Sequence, residues 1–575
     1  MDNLRRWQLG SGRSLYLAAD ARLSRTNYTD DQSWRIIPGE DGAPALRLQT
    51  RYGGRVGQAT IIPIWNHGGR SIYETQTYAQ PPSITAFAPG YAHVEGQLTA
   101  HLRINADYHV SDSQMIRGRF SLTNEGDTDE SLHVDLLGQV IIRSKEQRLA
   151  ILSLSDATSA LSMGKLPNLE PVLLFENAIA DLETIRISPK IGRDVTIPAG
   201  ETIHLNWVHA GLSNTERSLN YAQQVMLTSW DDVLDEINRA AEHIPQIETG
   251  DERVDFAIAR SYHDLLQAFI DPTDKIPNQT FVATRHPDKG YSANEGMDYG
   301  RGWSGASAHT SYLTTLATAT IDAKRAQGLI RNWLANQQKN GWIDARPGAA
   351  GQTSDTLCPP MLARLTWSTY QYTRDDAFLK EVLPKLLKFF RRWFQSDMDM
   401  EYDGLPEWQT ERQMGYTFFP TFASTNWGQS ANIRFFETPD LVAHLLSEAL
   451  SLTAIAHQIG ETVTEASINE RIQKLQSLLD EMWHENRYAY RDRDTNTITY
   501  KESILTDGAG DDEHILAYTL QSSARIIVYV QGGTSKMPKG SLTIQGRDRH
   551  GNPITEAVRL KDGFHWSYGG GNYTS

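Results

Sequence analysis

The sequence predicts a multidomain α and β chain: an N-terminal antiparallel β-sandwich, then a toroid of helical hairpins, then a small β module. Three observations predict it. Apolar residues alternate with period two from Met1 to about Leu212, switch to three- and four-residue spacing from about Asn214, and return to period two beyond about Ala509. At 575 residues the chain is too long for one small fold, since roughly 150 residues per domain gives about three to four domains. The pattern places the sandwich at residues 1–213, a helical linker at 214–250, the helical domain at 251–508 and the β module at 509–575.

In the first segment, strands are expected at Gln114–Leu122, Leu132–Ile142 and Thr202–Val208, with a turn at Asn124-Glu125-Gly126-Asp127. Many short runs broken by Gly, Asn, Asp and Pro argue for a large antiparallel sandwich. Amphipathic spacing then predicts helices over Ser218–His243, which links the sandwich to the helical domain, and over Arg253–Phe269. After a Gly- and Asp-rich loop at Lys289–Gly305, helices recur at Ala306–Thr320, Ala323–Lys339, Pro360–Tyr372, Asp376–Gln395, Pro439–Gln458 and Ser467–Glu485. Long loops between successive pairs carry Trp, Gly and acidic residues, the pattern of helical hairpins around a barrel with chemistry on the loops at one end. In the third segment Ala524–Gln531 and Ser541–Arg547 read as strands among Gly-rich turns. The chain stops at Trp566–Ser575 in what reads as a loop, so the barrel is expected to be incomplete and the polypeptide truncated.

Lys plus Arg is 55 and Asp plus Glu is 70, a formal net charge of −15. An acidic surface without a basic patch repels phosphates, which excludes nucleic acid and anionic membrane and leaves a neutral ligand. The single cysteine, Cys358, excludes an intramolecular disulfide, a Cys-based zinc site and a CxxC pair. The N-terminus has no signal-peptide pattern and no run approaches 18 apolar residues, so the expected location is cytoplasmic. No HxxxH or HExxH supports a His-based metal site, and His309 and His444 read as helix residues that are packed or exposed. No phosphate-cradling GxxxxGK[ST] and no GxSxG elbow is present.

The most informative stretch begins with a helix ending Asn332–Asp344 in an Asn-Gly turn, and Pro359-Pro360 opens the next helix. Tyr372-Thr-Arg-Asp-Asp-Ala-Phe-Leu379 comes after it, then Asp397-Met-Asp-Met-Glu-Tyr-Asp-Gly-Leu-Pro-Glu-Trp408. In this ordered set the chain resembles the glycoside hydrolase clan with an (α/α)6 barrel, nearest to family 63 and its processing α-glucosidases and mannosylglycerate hydrolases. The resemblance covers about Arg253–Glu485, and the preceding sandwich matches the usual N-terminal half of the clan. It implies hydrolysis of an α-glycosidic bond of an oligosaccharide with inversion, and a barrel mouth closed by loops implies exo-cleavage of a short chain.

That chemistry needs one protonated carboxyl to give its proton to the leaving oxygen and a second, roughly 6.5–9.5 Å away, to activate water. The resemblance places the acid in or just after the Asp-Gly-Leu loop. Where relatives carry an Asp after a Gly, this chain has Gly415-Tyr416-Thr417-Phe418. Glu407 and Glu411 are the substitutes, both near Trp408, Tyr416 and Phe418, whose low polarity would raise a carboxyl pKa. The base is expected to be Asp298 or a Glu outside this chain. Asp298 and Glu295 lie in Asn294–Trp303, where relatives carry Trp-Asp and this chain has Trp303-Ser304, with Arg301 placed to orient them. Trp303, Trp342, Trp408 and Trp427 are candidate sugar contacts, against a role in packing. Asp403 would hold substrate hydroxyls or form the Asp-Gly turn, and Glu437 would serve as a charge at a helix N-terminus.

No cofactor is expected, with Ca²⁺ the one ion considered. Asp397, Asp399, Glu401 and Asp403 alternate like a Ca²⁺ loop, but the central Gly and closing Glu of an EF-hand are missing, which favours a solvated acidic loop. Two other readings stay open: a disaccharide phosphorylase on the same scaffold, which needs an anion site, and a non-catalytic carbohydrate-binding protein. The residues carry no signal for oligomeric state.

Overall fold

Alternation buries one face of strands such as Leu46–Thr50, and the first segment forms two antiparallel sheets. The computed structural model describes residues 4–9, 13–155, 158–180, 189–282, 285, 307–415, 432–493 and 497–499, and beyond them 513, 515, 528, 530–532, 539–547, 550–562, 565–568 and 571–574. One sheet runs in the order Arg6–Leu9, Gln80–Ala88, Tyr91–Gln97, Leu102–Asp112, Met115–Asn124, Thr202–Ala210, Val172–Phe175, Thr158–Ser162, Ala150–Ser155. The other runs Ile179–Ala180, Lys190–Ile197, Glu130–Ile142, Gln58–His67, Leu46–Thr50, Trp34–Pro38, Leu15–Leu17. The three strands expected from alternation all form, with ends that differ from the sequence reading by no more than a few residues.

Between the sheets lies a core of large side chains, with Trp65 edge-on to Phe120 at 5.1 Å. Trp207 lies across its strand neighbour Gly118, where a Cβ would stand 2.2 Å from the indole; glycine is there because a ring occupies the space of a side chain. Asn124 closes the expected turn, accepting from the Gly126 N–H at 3.0 Å and donating to the Ile197 carbonyl at 3.0 Å.

The chain divides into two compact units. Met1–Ala306, Leu313–Ala335 and Arg346–Thr353 form the first, and Ser307–Tyr312, Asn336–Ala345 and Ser354–Ser575 form the second. In the first, the single helix expected over Ser218–His243 is two, α1 (Thr215–Met226) and α2 (Trp230–Ala241). Ser229 makes the break: its side chain accepts from the Asp231 N–H at 3.2 Å and starts a new helix with Asp231 and Asp232 in its first turn. Redirecting the chain there packs Trp230, Val233 and Ile237 on Ala88 and Tyr91 of the sandwich. Helix α3 (Glu252–Gln267) is held by Gln267, whose side-chain oxygen accepts from the N–H groups of Ala18 and Gly90 at 2.8 and 3.0 Å. Buried Arg285 pairs with Asp31 at 2.6 and 2.8 Å and donates to the carbonyls of Ala19 and Phe269. Helix α4 (Ala308–Ala319) and helix α5 (Ala323–Ala335) come next in the chain.

In the second unit α6 (Leu362–Thr373), α7 (Asp376–Arg392), α8 (Pro439–Ile459) and α9 (Thr462–Met482) pack as neighbours, α8 against each of the others. The expected spans of α6, α7 and α8 are met within a few residues, and α9 starts five residues before the expected Ser467; side-chain caps mark the starts of α7 and α8. Asp375 accepts from Phe378 N–H at 3.1 Å to start α7, Thr438 and Pro439 start α8, and Gly460 ends α8 at φ 81°. Buried Glu448 of α8 accepts from the N–H groups of Ala363 and Arg364 at 2.9 and 2.8 Å, covering the N-terminus of α6. Ser541–Arg547 forms a hairpin with Pro553–Arg559; the strand expected over Ala524–Gln531 lies almost wholly outside the described residues. No helix among the described residues is long and apolar enough to cross a membrane.

Candidate functional site

The acidic loop after α7 folds by satisfying its own backbone. Asp399 accepts from the N–H groups of Asp403 and Gly404 at 3.1 and 2.8 Å, and Gly404 takes the left-handed conformation at φ 87°. Asp403 accepts from Leu405 N–H at 2.8 Å and meets Arg491 at 3.2 Å. It forms the Asp-Gly turn that was one of its two expected roles. Asp397 is drawn off to Arg392, whose guanidinium also lies over the Trp342 ring at 5.3 Å. Trp342 is therefore half-buried against a cation, and Gly341 beside it adopts φ 92° where a Cβ would meet the Lys388 carbonyl at 2.6 Å.

The turn brings Glu401 and Glu407 together, and the short strand Phe436–Glu437, paired with Tyr490–Asp492, adds Glu437. One oxygen from each of these three glutamates lies within 4.8 Å of the other two, and the same holds for Asp399, Glu401 and Asp403. Glu407 is 4% exposed and Glu437 0%. Arg491 donates to Glu437 Oε2 at 2.6 Å, and Arg493 stands 3.9 Å from Glu401. Among the described residues no donor reaches Glu407 Oε1, Glu437 Oε1 or either buried oxygen of Glu401; a proton shared between Glu407 and Glu401 links that pair. Burial, then the neighbouring Glu401 charge, pushes the Glu407 carboxyl up to about 10. Burial also pushes Glu437 up to about 8 against the pull of Arg491, and raises Glu401 and Asp399.

Glu411 is placed differently. It opens the turn Glu411–Met414 and is partly exposed. Gln413 braces that turn, its side-chain oxygen accepting from Gln409 and Thr410 N–H at 2.6 and 3.1 Å while its amide donates to the Leu357 carbonyl at 3.0 Å. Trp408 is fully buried, edge-on to Trp393 at 5.6 Å with its indole N–H on Asp440 at 3.1 Å, so its ring is committed to packing and is no sugar contact. His309 and His444 face each other at 6.4 Å, and burial lowers the pKa of both. Glu295, Asp298, Arg301, Trp303, Tyr416, Thr417, Phe418 and Trp427 lie outside the described residues.

Sequence reasoning left Glu401 in a solvated loop and Glu437 at a helix end, and it passed over Arg491 and Arg493. The available signal was the period-two pair Arg491-Asp492-Arg493, two cations on one face of a strand.

Residues 299–515 match the family model for the mannosylglycerate hydrolase MGH1-like glycoside hydrolase domain. This segment is similar to that glycoside hydrolase domain. It spans the loop Asp397–Trp408, the turn carrying Glu411, and both strands that frame Glu437. Among solved structures, a bacterial glucoamylase complexed with acarbose is similar at 11% identity, covering 83% of this chain and 70% of its own, with a TM-score of 0.44. A family 63 mannosylglycerate hydrolase from Thermus thermophilus in complex with glucose is similar at 17% identity, covering 32% of this chain and 59% of its own, with a TM-score of 0.29. A human-microbiome structure described as a kojibiose phosphorylase is similar at 10% identity, covering 86% of this chain and 72% of its own, with a TM-score of 0.39. At these values no residue role passes from them to this chain. No curated protein sequence matches the chain.

Proposed function

We propose that this chain hydrolyses an α-glycosidic bond of an uncharged oligosaccharide with inversion, and that Glu411 supplies the proton to the leaving oxygen. The observation that carries the reading is the match of residues 299–515 to a glycoside hydrolase domain. The net charge of −15 favours an uncharged substrate. Between the two expected donors, the surroundings favour Glu411. A general acid works best with a pKa near the operating pH, and Glu407, closed off at 4% exposure with its carboxyl pushed up to about 10, holds its proton too tightly. Glu411 sits four residues on, partly open to solvent and held by a braced turn.

The test is release of reducing sugar from a panel of α-linked gluco- and manno-oligosaccharides, with and without phosphate, by the wild type and Glu411→Gln. Hydrolysis without phosphate is expected, falling about 10²- to 10⁴-fold in the variant while sugar binding persists. Turnover that requires phosphate would replace hydrolysis with phosphorolysis. Binding without turnover across the panel would replace the enzyme with a carbohydrate-binding protein.

A further inference from the structure

Among the described residues the carboxylates around Glu401 outnumber the cations that pair with them, while Lys474 donates to the Asp403 carbonyl and Arg471 lies near Asp399. Asp399, Glu401, Asp403, Glu407 and Glu437 face Arg491 and Arg493. Asp399 is satisfied by its turn and Asp403 by Leu405 N–H and Arg491. That leaves Glu401, Glu407 and the second oxygen of Glu437. Buried polar atoms in folded proteins nearly always have a partner, and those without one need an explanation. Here Glu407 and Glu437 are each more than nine-tenths buried, Oε1 of each has no partner among the described residues, and one oxygen of each lies within 4.8 Å of the other and of a Glu401 oxygen.

We propose that Glu401, Glu407 and Glu437 bind a divalent cation of the Ca²⁺ class, with Asp399 and Asp403 adding negative charge beside it. Oxygens on one Ca²⁺ stand about 2.3–2.6 Å from the ion, so two of them are at most about 5 Å apart. The three glutamate oxygens, all within 4.8 Å of one another, meet that limit without rearrangement. The donors are hard carboxylate oxygens with no His or Cys among them, which selects Ca²⁺ or Mg²⁺ over zinc. A cage made of protein oxygens suits Ca²⁺, whereas Mg²⁺ prefers to keep several waters.

The site also accounts for the alternation Asp397–Asp403, which looks like a Ca²⁺ loop lacking its closing glutamate. Asp397 is spent on Arg392, and the closing carboxylates come from Glu407, just past the loop, and from Glu437 on the neighbouring strand. An ion there would fasten the acidic loop to the start of α8. With an ion bound Glu407 is a ligand rather than an acid, which leaves the proton donor at Glu411.

The experiment is calorimetric titration of the chelator-treated full chain with CaCl₂ alone and with MgCl₂ alone, alongside thermal midpoints with and without each ion. The wild type is expected to bind one Ca²⁺ per chain, more tightly than Mg²⁺, with a rise in midpoint. Glu407→Gln and the less buried Glu401→Gln, each checked for folding by circular dichroism, are expected to lose at least about tenfold in Ca²⁺ affinity. Glu411→Gln is expected to bind Ca²⁺ like the wild type. A wild type that binds no Ca²⁺ at millimolar concentration would overturn the site, as would undiminished affinity in a folded Glu401→Gln, or Mg²⁺ bound as tightly as Ca²⁺.

Discussion

Glu448 carries a carboxyl into the interior of the helical unit, where both oxygens accept backbone N–H groups at the start of α6. Those bonds favour the charged form, yet burial outweighs them and pushes the group up to about 7. The folded-state value lies above the ordinary 4.5, so the folded chain binds this proton more tightly than the unfolded chain. Its contribution to stability is therefore fully present below about pH 4.5 and is lost as pH rises through about 7. Glu448→Gln, neutral at every pH, should gain on the wild type by roughly 3 kcal/mol between pH 5 and pH 8. Urea unfolding of both proteins across that range checks this; a difference independent of pH would mean that the carboxyl titrates normally. Glu407 and Glu437 differ in one respect. Burial raises all three, but only Glu448 has both oxygens occupied by donors, so it needs no ion.

At the scale of elements, the strands and helices were legible where the cause is local. Alternation marked Met115–Asn124 and Glu130–Ile142, and capping residues marked α7 and α8. The break between α1 and α2 was missed because the hydrophobic period continues through it, while the Ser229 cap and the sandwich surface under Trp230 decide it. The site divides the same way. The Asp-Gly turn could be read from Asp403-Gly404, but Glu437 meets its partner Arg491 54 residues away through strand pairing, which no local pattern reports. Packing in the sandwich yields a prediction of its own. Gly118→Ala would drive a Cβ into the Trp207 indole from a distance of 2.2 Å, and forcing a ring out of a filled core costs about 1–3 kcal/mol. Denaturant unfolding followed by tryptophan fluorescence measures the loss; an alanine variant as stable as the wild type would mean that the sheets part freely at this point.

Over the whole molecule, a sandwich-bearing unit and a helical unit are joined in one acidic chain, and the proposed proton donor Glu411 belongs to the helical unit. The acidic turn, the neighbouring glutamate strand and the turn bearing Glu411 all fall within the glycoside hydrolase match at 299–515. The central claim is that these loops cleave an α-glycosidic bond with inversion. Proton NMR of the chain mixed with α-linked gluco- and manno-oligosaccharides, recorded from the first minutes without phosphate, tests it most directly. The β-anomer of the released sugar is expected to appear first and then to mutarotate toward equilibrium. First appearance of the α-anomer would contradict inversion, and anomeric signals that never change across the panel would contradict hydrolysis.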